Sequence, residues 1–247
     1  MTFFWGAPTE YADSIGRLHH ARINVIWQCG SVAEARAAAA AGVDAIMAQG
    51  LEAGGHVRGD IGTIALVPAM RDAIGDLPML AAGGLADGRG LAAVLALGAD
   101  AGVFGTRFLV ANESAAHRDY KGAVIRAQAG DTLHTTLFDI GWPDAPHRVI
   151  RTPAVETWER AGRPAAGARP GEGDLMGPLL RREGEVPLVR YSVSPPTASV
   201  EGDISGLAFY GGQSCGLIKE TMPAAEIVRS IVEEARAVIA NRLAPLI

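Results

Sequence analysis

The sequence predicts an α/β fold built on a parallel sheet, and two observations support this fold class. Short apolar runs of strand length alternate with longer segments of helical periodicity through the first two-thirds of the chain. In addition, 39–50 and 95–106 repeat one order of features: helix end, Gly, small residue, Asp-Ala, apolar run, Gly. This repeat reflects either a duplication or two uses of the same loop chemistry. Repeated βα units of this length predict helices outside a parallel sheet, with right-handed crossovers.

Five strands are predicted, and a helical segment precedes or follows each of them. The second helix has the best-defined limits, because Ser31 is a good N-cap and Gly42 stands where a helix ends. The predicted strands cover 2–5, 23–28, 44–49, 78–82 and 100–105. The predicted helices cover 9–20, 32–41, 63–74, 88–97 and 114–129.

The pattern changes after residue 130, where Pro, Gly and Arg become frequent. We expect 141–200 to be a long excursion with short helices near Val155–Arg160 and Leu175–Arg182. Such an excursion is a lid, a segment that contacts a partner, or a disordered segment. An amphipathic helix is predicted to close the chain, from about Ala224 to Arg242.

Composition and charge exclude several classes of protein. The 247 residues are 49% hydrophobic with a formal net charge of −5, which fits one globular domain, alone or with an appendage, and argues against nucleic-acid binding. Cys29 and Cys215 form neither a disulfide framework nor a zinc motif and suit a reducing cytoplasm. The first residues lack the pattern of a signal peptide, and no apolar stretch reaches the roughly 18 residues of a membrane span. We therefore expect a cytoplasmic protein without nucleic-acid, membrane or metal partners.

Glycines follow three of the predicted strands, in the segments Gly54-Gly55, Gly83-Gly84 and Gly105-Thr106. Backbone N–H groups at the ends of consecutive parallel strands can bind a phosphate group, as they do after the last two strands of a (β/α)₈ barrel. Tight βα turns without a ligand are the alternative. The G-x-G-x-x-G fingerprint of a Rossmann dinucleotide site does not occur in the sequence, which argues against that mode of binding.

Three side chains near the strand ends are candidates for chemistry or capping. His56 is a general base, a hydrogen-bond donor to a cofactor, or a solvated loop residue. Glu52 is expected to cap a backbone N–H group or to pair with Arg58. Cys29 is a weak candidate nucleophile, because nothing in the sequence indicates a low thiol pKa.

Four stretches of the chain share motifs with a known family: GLEAGGHVRG (50–59), the glycine-rich segment 77–114, HRVIRTPAVETW (147–158) and GQSCGLI (212–218). In this order they resemble the nitronate monooxygenases, flavin proteins formerly called 2-nitropropane dioxygenases. The related FMN-dependent enoyl-acyl-carrier-protein reductases share the same motifs. The resemblance implies a TIM-type (β/α) barrel with FMN at the carboxyl ends of the strands.

The resemblance also implies roles for individual residues. His56 matches the active-site histidine beside the isoalloxazine ring and is the predicted catalytic residue. Gln49 and Gly54 would contact the flavin or its ribityl chain, and Gly55 with Gly54 would let the flat ring approach. Four residues at two strand ends would hold the phosphate: Gly83, Gly84, Gly105 and Thr106.

The barrel implied by the resemblance is apparently incomplete, because the chain begins at what resembles the fourth strand and the first three are lacking. An open sheet edge favours pairing with another chain. We expect a segment of a longer gene product, a homo-oligomer or second chain that completes the barrel, or a degraded paralogue. The expected domains are a partial FMN-binding barrel (1–140), a lid or insert (141–210) and a C-terminal helical segment that packs back on the barrel (211–247).

The function implied by the resemblance is FMN-dependent oxidation of alkyl nitronates by molecular oxygen. One alternative is an FMN-dependent NAD(P)H quinone or enoyl-thioester reductase, and another is a truncated, non-catalytic paralogue. The sequence does not separate the first two functions, because the GGH and AAGG motifs serve both.

Overall fold

The computed structural model describes residues 1–181 and 184–246, which form two compact units. The parallel-sheet unit contains Met1–Ala53, Val57–Gly105 and the chain from Ala225 onward. The antiparallel unit contains Gly54–His56 and Thr106–Ala224. The expected domain boundaries after residues 140 and 210 stay a prediction.

The described residues contain ten strands and eight α-helices. The strands are β1 (Thr2–Phe3), β2 (Ile26–Cys29), β3 (Ala45–Gln49), β4 (Gly55–His56), β5 (Met79–Ala82), β6 (Ala101–Val103), β7 (Thr132–Thr135), β8 (His147–Ile150), β9 (Leu175–Arg181) and β10 (Gly184–Val189). The helices are α1 (Ala12–His20), α2 (Val32–Ala40), α3 (Thr63–Ile74), α4 (Gly88–Ala96), α5 (Thr106–Leu109), α6 (Arg118–Arg126), α7 (Pro153–Arg160) and α8 (Ala224–Val238).

Five parallel strands form the sheet of the parallel-sheet unit, in the order β1-β2-β3-β5-β6. The register aligns Trp27 with Ile46 and Ile46 with Met79, so these side chains share one face of the sheet. The helices pack on this face and complete a hydrophobic core. Further core residues are Ile15, Val25, Cys29, Ala35, Ala38, Val43, Ala48, Leu66, Val67, Met70, Ala81, Leu85, Val94 and Ala99.

The predicted α/β fold class is confirmed, and the parallel-sheet unit has the repeated βα architecture of a TIM-type barrel. All five predicted strands are present, with boundaries that differ from the predicted ones by up to three residues. The best-predicted helix starts are those with clear capping. The Ser31 side chain accepts a hydrogen bond from Glu34 N, so α2 begins at the next residue after this cap.

The two repeated segments form the same joint twice. Asp44, before β3, accepts a hydrogen bond from Val25 N at 2.6 Å, and Asp100, before β6, accepts one from Met79 N at 2.8 Å. Each carboxylate ties the start of one strand to the start of its neighbour. The backbone hydrogen bond also lowers the pKa of each carboxyl group. This common role explains why the same residue stands at the same place in both segments.

The antiparallel unit contains one sheet with the order β4-β8-β7 and one hairpin formed by β9 and β10. The predicted helix near Leu175–Arg182 is wrong: strand β9 occupies this segment as far as Arg181, and Arg182 lies outside the described residues. Gly177 has a φ of +123°, and Pro178 follows it. A positive φ at Gly177 and the missing N–H group of Pro178 both disfavour a helix here. The segment therefore forms one strand of the hairpin.

Two predicted helices keep their place but change their limits. The helix predicted near Val155–Arg160 is confirmed as α7, in which Pro153 takes the first position. The helix predicted at 114–129 is shorter than expected, since α6 begins only after His117. The ring Nδ1 of this N-cap residue accepts a hydrogen bond from Asp119 N at 3.1 Å, which fixes the start of the helix.

Helix α8 packs closely against the start of α4 within the parallel-sheet unit. A Cβ atom at Gly88 would lie 2.4 Å from Ala235 N and 2.5 Å from Ile231 O, so only glycine fits there. Gly88 N also donates to Glu234 Oε2 at 2.8 Å. Within the described ranges, no helix combines the length and the apolar character that crossing a membrane requires.

We expect Gly88→Ala to destabilise the protein, although alanine is the better helix former, because the added methyl group must push two helices apart. The expected loss in the free energy of unfolding is about 1–3 kcal/mol, measured by chemical denaturation. Gly16→Ala is the matched control: its Cβ would meet nothing within 4 Å inside α1, so it should stabilise by roughly 0.5–1 kcal/mol. Equal effects of the two substitutions would contradict the close helix contact.

Candidate functional site

The ends of three neighbouring strands bring together predicted site residues of the parallel-sheet unit. Gln49 ends β3, Gly83 follows β5, and Gly105 lies just past β6. These three strands are adjacent in the sheet, and Gly50 N donates to Ala82 O at 2.9 Å, which continues the pairing past β3. The carboxyl ends of the strands, where ligands bind in parallel α/β folds, therefore carry the predicted residues.

Gly83 and Gly84 have φ values of +104° and +75°, a region that favours glycine. A Cβ atom at Gly83 would lie 2.9 Å from Gly50 O, whereas one at Gly105 would meet nothing within 4 Å. The N–H groups of Gly83 and Gly84 donate no hydrogen bond to any residue that the structure describes. Unpartnered backbone N–H groups are the donors that bind phosphate oxygens. The turn formed by Gly83 and Gly84, which we call the glycine corner, is therefore suited to bind an anion.

Glu52 caps the first turn of α3, as one of the two sequence interpretations predicted. Both of its carboxylate oxygens lie 3.0 Å from Thr63 N, and one lies 2.9 Å from Thr63 Oγ1. The alternative pairing with Arg58 is not formed, since Arg58 Nη2 lies 3.0 Å from Glu34 Oε1 instead. The Thr63 hydroxyl group also lies 3.0 Å from Gly83 O, so the cap is linked to the glycine corner.

His56 lies on β4 of the antiparallel unit, directly opposite His147 on β8. Its ring centroid is 4.3 Å from that of Trp142, 5.5 Å from that of Tyr210 and 5.6 Å from that of His147. Burial among these rings lowers the pKa of His56 from its ordinary value of 6.5. The imidazole is therefore neutral at pH 7 and able to accept a proton.

His147 is fully buried and fixed at both ring nitrogens. Nδ1 lies 2.8 Å from Ala145 O, and Nε2 accepts a hydrogen bond from Phe138 N at 3.2 Å. This pattern requires a neutral ring with its hydrogen on Nδ1. Burial is the main reason why the pKa of His147 falls to about 4. The His147 ring thus bonds to both ends of the loop that carries Trp142, and it lies against one side of His56.

The glycines before His56 differ in their surroundings. A Cβ atom at Gly54 would lie 2.4 Å from Gly212 N, whereas one at Gly55 would meet nothing within 4 Å. Gly212 N also donates to Thr106 Oγ1 at 3.0 Å. Thr106 therefore accepts one bond within its own unit and keeps its hydroxyl hydrogen for another partner.

The predicted site residues divide equally between the units. Those in the parallel-sheet unit are Gln49, Gly83, Gly84 and Gly105, and those in the antiparallel unit are Gly54, Gly55, His56 and Thr106. Sequence reasoning missed the aromatic residues around His56 and the buried His147. The sequence signal that could have identified His147 was the HRVIRT stretch, which begins at this residue. Among the residues that the structure describes, no group of His, Cys, Asp or Glu has an arrangement that could hold a metal ion.

Comparison with known proteins settles the family. The sequence model of the nitronate monooxygenase family matches residues 2–234. The chain belongs to this family. Nitronate monooxygenase of Pseudomonas aeruginosa is 35% identical to it over 247 aligned positions, which cover 96% of this chain and 63% of the relative. The resemblance predicted from the motifs is therefore confirmed.

Solved structures of family-like proteins share the fold. FabK of Thermotoga maritima has a TM-score of 0.74 and 35% identity, covering all of this chain and 70% of that chain. Nitroalkane oxidase of Streptomyces ansochromogenes has a TM-score of 0.69 and 29% identity, covering 93% of this chain and 62% of that chain. The nitronate monooxygenase family member described here spans roughly three-fifths of the length of the first curated relatives that it matches, 56% and 61%.

The neutral state of His147 makes a prediction for acid stability. Its pKa is about 4 in the folded protein and 6.5 ordinarily, so the unfolded chain binds more protons between these values. The contribution of the neutral His147 ring to the free energy of unfolding is fully present above pH 6.5 and is lost as the pH falls towards 4. We expect His147→Gln, which keeps an acceptor for Phe138 N, to flatten the pH dependence of unfolding by up to about 1.4 kcal/mol per pH unit.

Denaturant unfolding at several values between pH 7.5 and pH 4.5 measures this slope. His20→Gln, at an exposed position of α1, is the matched control and should keep the wild-type slope. An unchanged slope in the His147 variant would show that this ring does not titrate on unfolding.

Proposed function

We propose that this family member takes part in the FMN-dependent oxidation of alkyl nitronates by molecular oxygen. The observation that carries the proposal is the half-buried, neutral imidazole of His56, held on a strand and surrounded by Trp142, Tyr210 and His147. A base for carbon acids needs this uncharged state and a fixed position. Because the chain spans only part of its relatives, the activity is proposed for the whole protein that contains it.

FMN is the cofactor that we propose, and the glycine corner fits its phosphate. Gly83 and Gly84 offer backbone N–H groups, and Gly105 borders open space. Gln49, at the end of β3, would contact the flavin or its ribityl chain. The roles of Gly54, Gly55 and Thr106 towards the same cofactor rest on the family resemblance. When bound, flavin supplies the electron-transfer chemistry, while the protein binds and orients it.

His56 is the proposed catalytic residue for the substrate. Its neutral imidazole can take the proton from the carbon next to the nitro group of a nitroalkane, or donate a hydrogen bond to a nitro oxygen of a nitronate. Burial keeps the ring uncharged before the reaction, which both roles require, although it also makes the ring a weaker base. The fixed ring of His147 beside it limits the orientations of the His56 imidazole, so the reacting nitrogen keeps its direction.

The remaining expectations about partners and location stay proposals. The face of the parallel sheet opposite the core carries the half-exposed side chains of Ile26, Met47 and Leu80. Since parallel sheets are usually covered on both faces, we propose that further barrel strands or another copy of the chain cover it. Nitronate and O₂ are the proposed small-molecule partners. The proposed cytoplasmic location rests on the cysteine pattern alone.

We expect His56→Ala to retain FMN while it slows the reaction with a neutral nitroalkane by roughly 10²-fold, the typical contribution of general acid–base catalysis. The measurement is anaerobic mixing of the FMN-loaded protein with an alkyl nitronate or nitroalkane, followed through the flavin absorbance. His20→Ala is the matched control, because it removes an exposed histidine of α1.

Two outcomes would contradict the proposed function. Failure of millimolar nitronate to change the flavin absorbance of the wild-type protein would reject nitronate as substrate. Rapid loss of flavin absorbance with NADH or NADPH, in the absence of nitronate, would instead support the reductase alternative. A wild-type rate in the His56 variant would remove this residue from the mechanism and leave the cofactor assignment untouched.

A further inference from the structure

Thr63 is held in one orientation at the start of α3. The residue is only 5% exposed, and its Oγ1 atom lies 3.0 Å from Gly83 O and 2.9 Å from Glu52 Oε2. A hydroxyl group has one hydrogen, so the two acceptors share it. Glu52 is itself held by Thr63 N, so its carboxylate cannot turn away from the hydroxyl group without breaking these bonds as well.

The bond from Thr63 to Gly83 O determines where the next N–H group points. In a planar trans peptide, the C=O and N–H bonds point in opposite directions. The Gly83 carbonyl faces Thr63, so the Gly84 N–H group points away from it. This N–H group donates to no residue within the described part of the chain. Glycine backbone is otherwise free to rotate. The bond from the Thr63 hydroxyl group therefore fixes the orientation of the peptide between Gly83 and Gly84.

We propose that Thr63 and Glu52 are positioning residues that hold the Gly84 N–H group ready for a phosphate group. This inference rests on the proposed function, in which the phosphate is that of FMN. Capping of α3 alone would not require it, because Glu52 already accepts from Thr63 N. The hydroxyl bond to Gly83 O is an additional contact that acts on the glycine corner and not on the helix.

A comparison of FMN with riboflavin tests the proposal, because the two molecules differ only by the phosphate. We expect the wild-type protein to bind FMN more tightly than riboflavin. Thr63→Val keeps the shape and removes the hydroxyl group, so the FMN-to-riboflavin affinity ratio should fall about tenfold or more. Thr63→Ser restores the hydroxyl group and should restore the ratio. Dissociation constants come from quenching of flavin fluorescence on titration.

Thr157→Val is the matched control. Thr157 lies on α7, where its hydroxyl oxygen accepts a bond from the exposed Arg160 Nη2 at 3.2 Å, so the ratio should stay at the wild-type value. Circular dichroism checks that each variant folds. If Thr63→Val does not fold, Thr63→Ala takes its place, because it removes the same hydroxyl group without a branched side chain.

The outcomes separate this inference from the proposed function. Equal affinity of the wild-type protein for FMN and riboflavin would contradict the phosphate assignment and thereby the proposed cofactor. A wild-type preference for FMN that survives in Thr63→Val would overturn only the role of Thr63. A loss in Thr63→Ser as large as that in Thr63→Val would also overturn it, because the methyl group would then be responsible.

Discussion

Backbone segments pack so closely at the strand ends that a Cβ atom would not fit between them. The positions of the loops that follow the strands depend on this close contact. A Cβ atom at Gly30 would lie 2.7 Å from Gly59 Cα, and one at Gly83 would lie 2.9 Å from Gly50 O. At such distances neighbouring main chain positions the loops after the strands, and at Gly83 the Thr63 hydroxyl group adds a side-chain bond. Main chain has few alternative positions in a packed structure, so these loops present their N–H groups in fixed directions.

Charged groups in the parallel-sheet unit satisfy backbone donors where elements begin. Asp44 and Asp100 accept from residues at strand starts, and Asp87 and Glu52 accept from the first turns of α4 and α3. A carboxylate at a helix start is stabilised by the helix dipole. In the antiparallel unit, by contrast, burial keeps the ring of His147 neutral. Fixed charges thus build the parallel-sheet unit, while a neutral, doubly hydrogen-bonded ring supports the antiparallel unit beside His56.

The sequence predicted the parallel sheet because its strands are short apolar runs between helices with clear caps. It did not predict β8 and its neighbour β7, because β8 buries polar side chains. His147 and Arg148 are 0% and 5% exposed, and a buried polar residue cannot be told from a solvated one by periodicity. The GGH motif predicted His56. The rings around His56 come from distant parts of the chain, so only the tertiary fold assembles them.

The glycine pairs show why sequence motifs alone cannot assign ligand contacts. In each pair the first glycine packs on main chain: Gly54 against Gly212 N, and Gly83 against Gly50 O. The second has more room, since a Cβ atom would meet nothing within 4 Å at Gly55 and only ordinary contact, 3.5 Å from Glu52 Cβ, at Gly84. The first glycine is therefore required by close packing, while the second, which a positive φ favours, leaves space beside the backbone. A ligand that needs that space has it at the second position of each pair, and the first position acts by holding the turn in place.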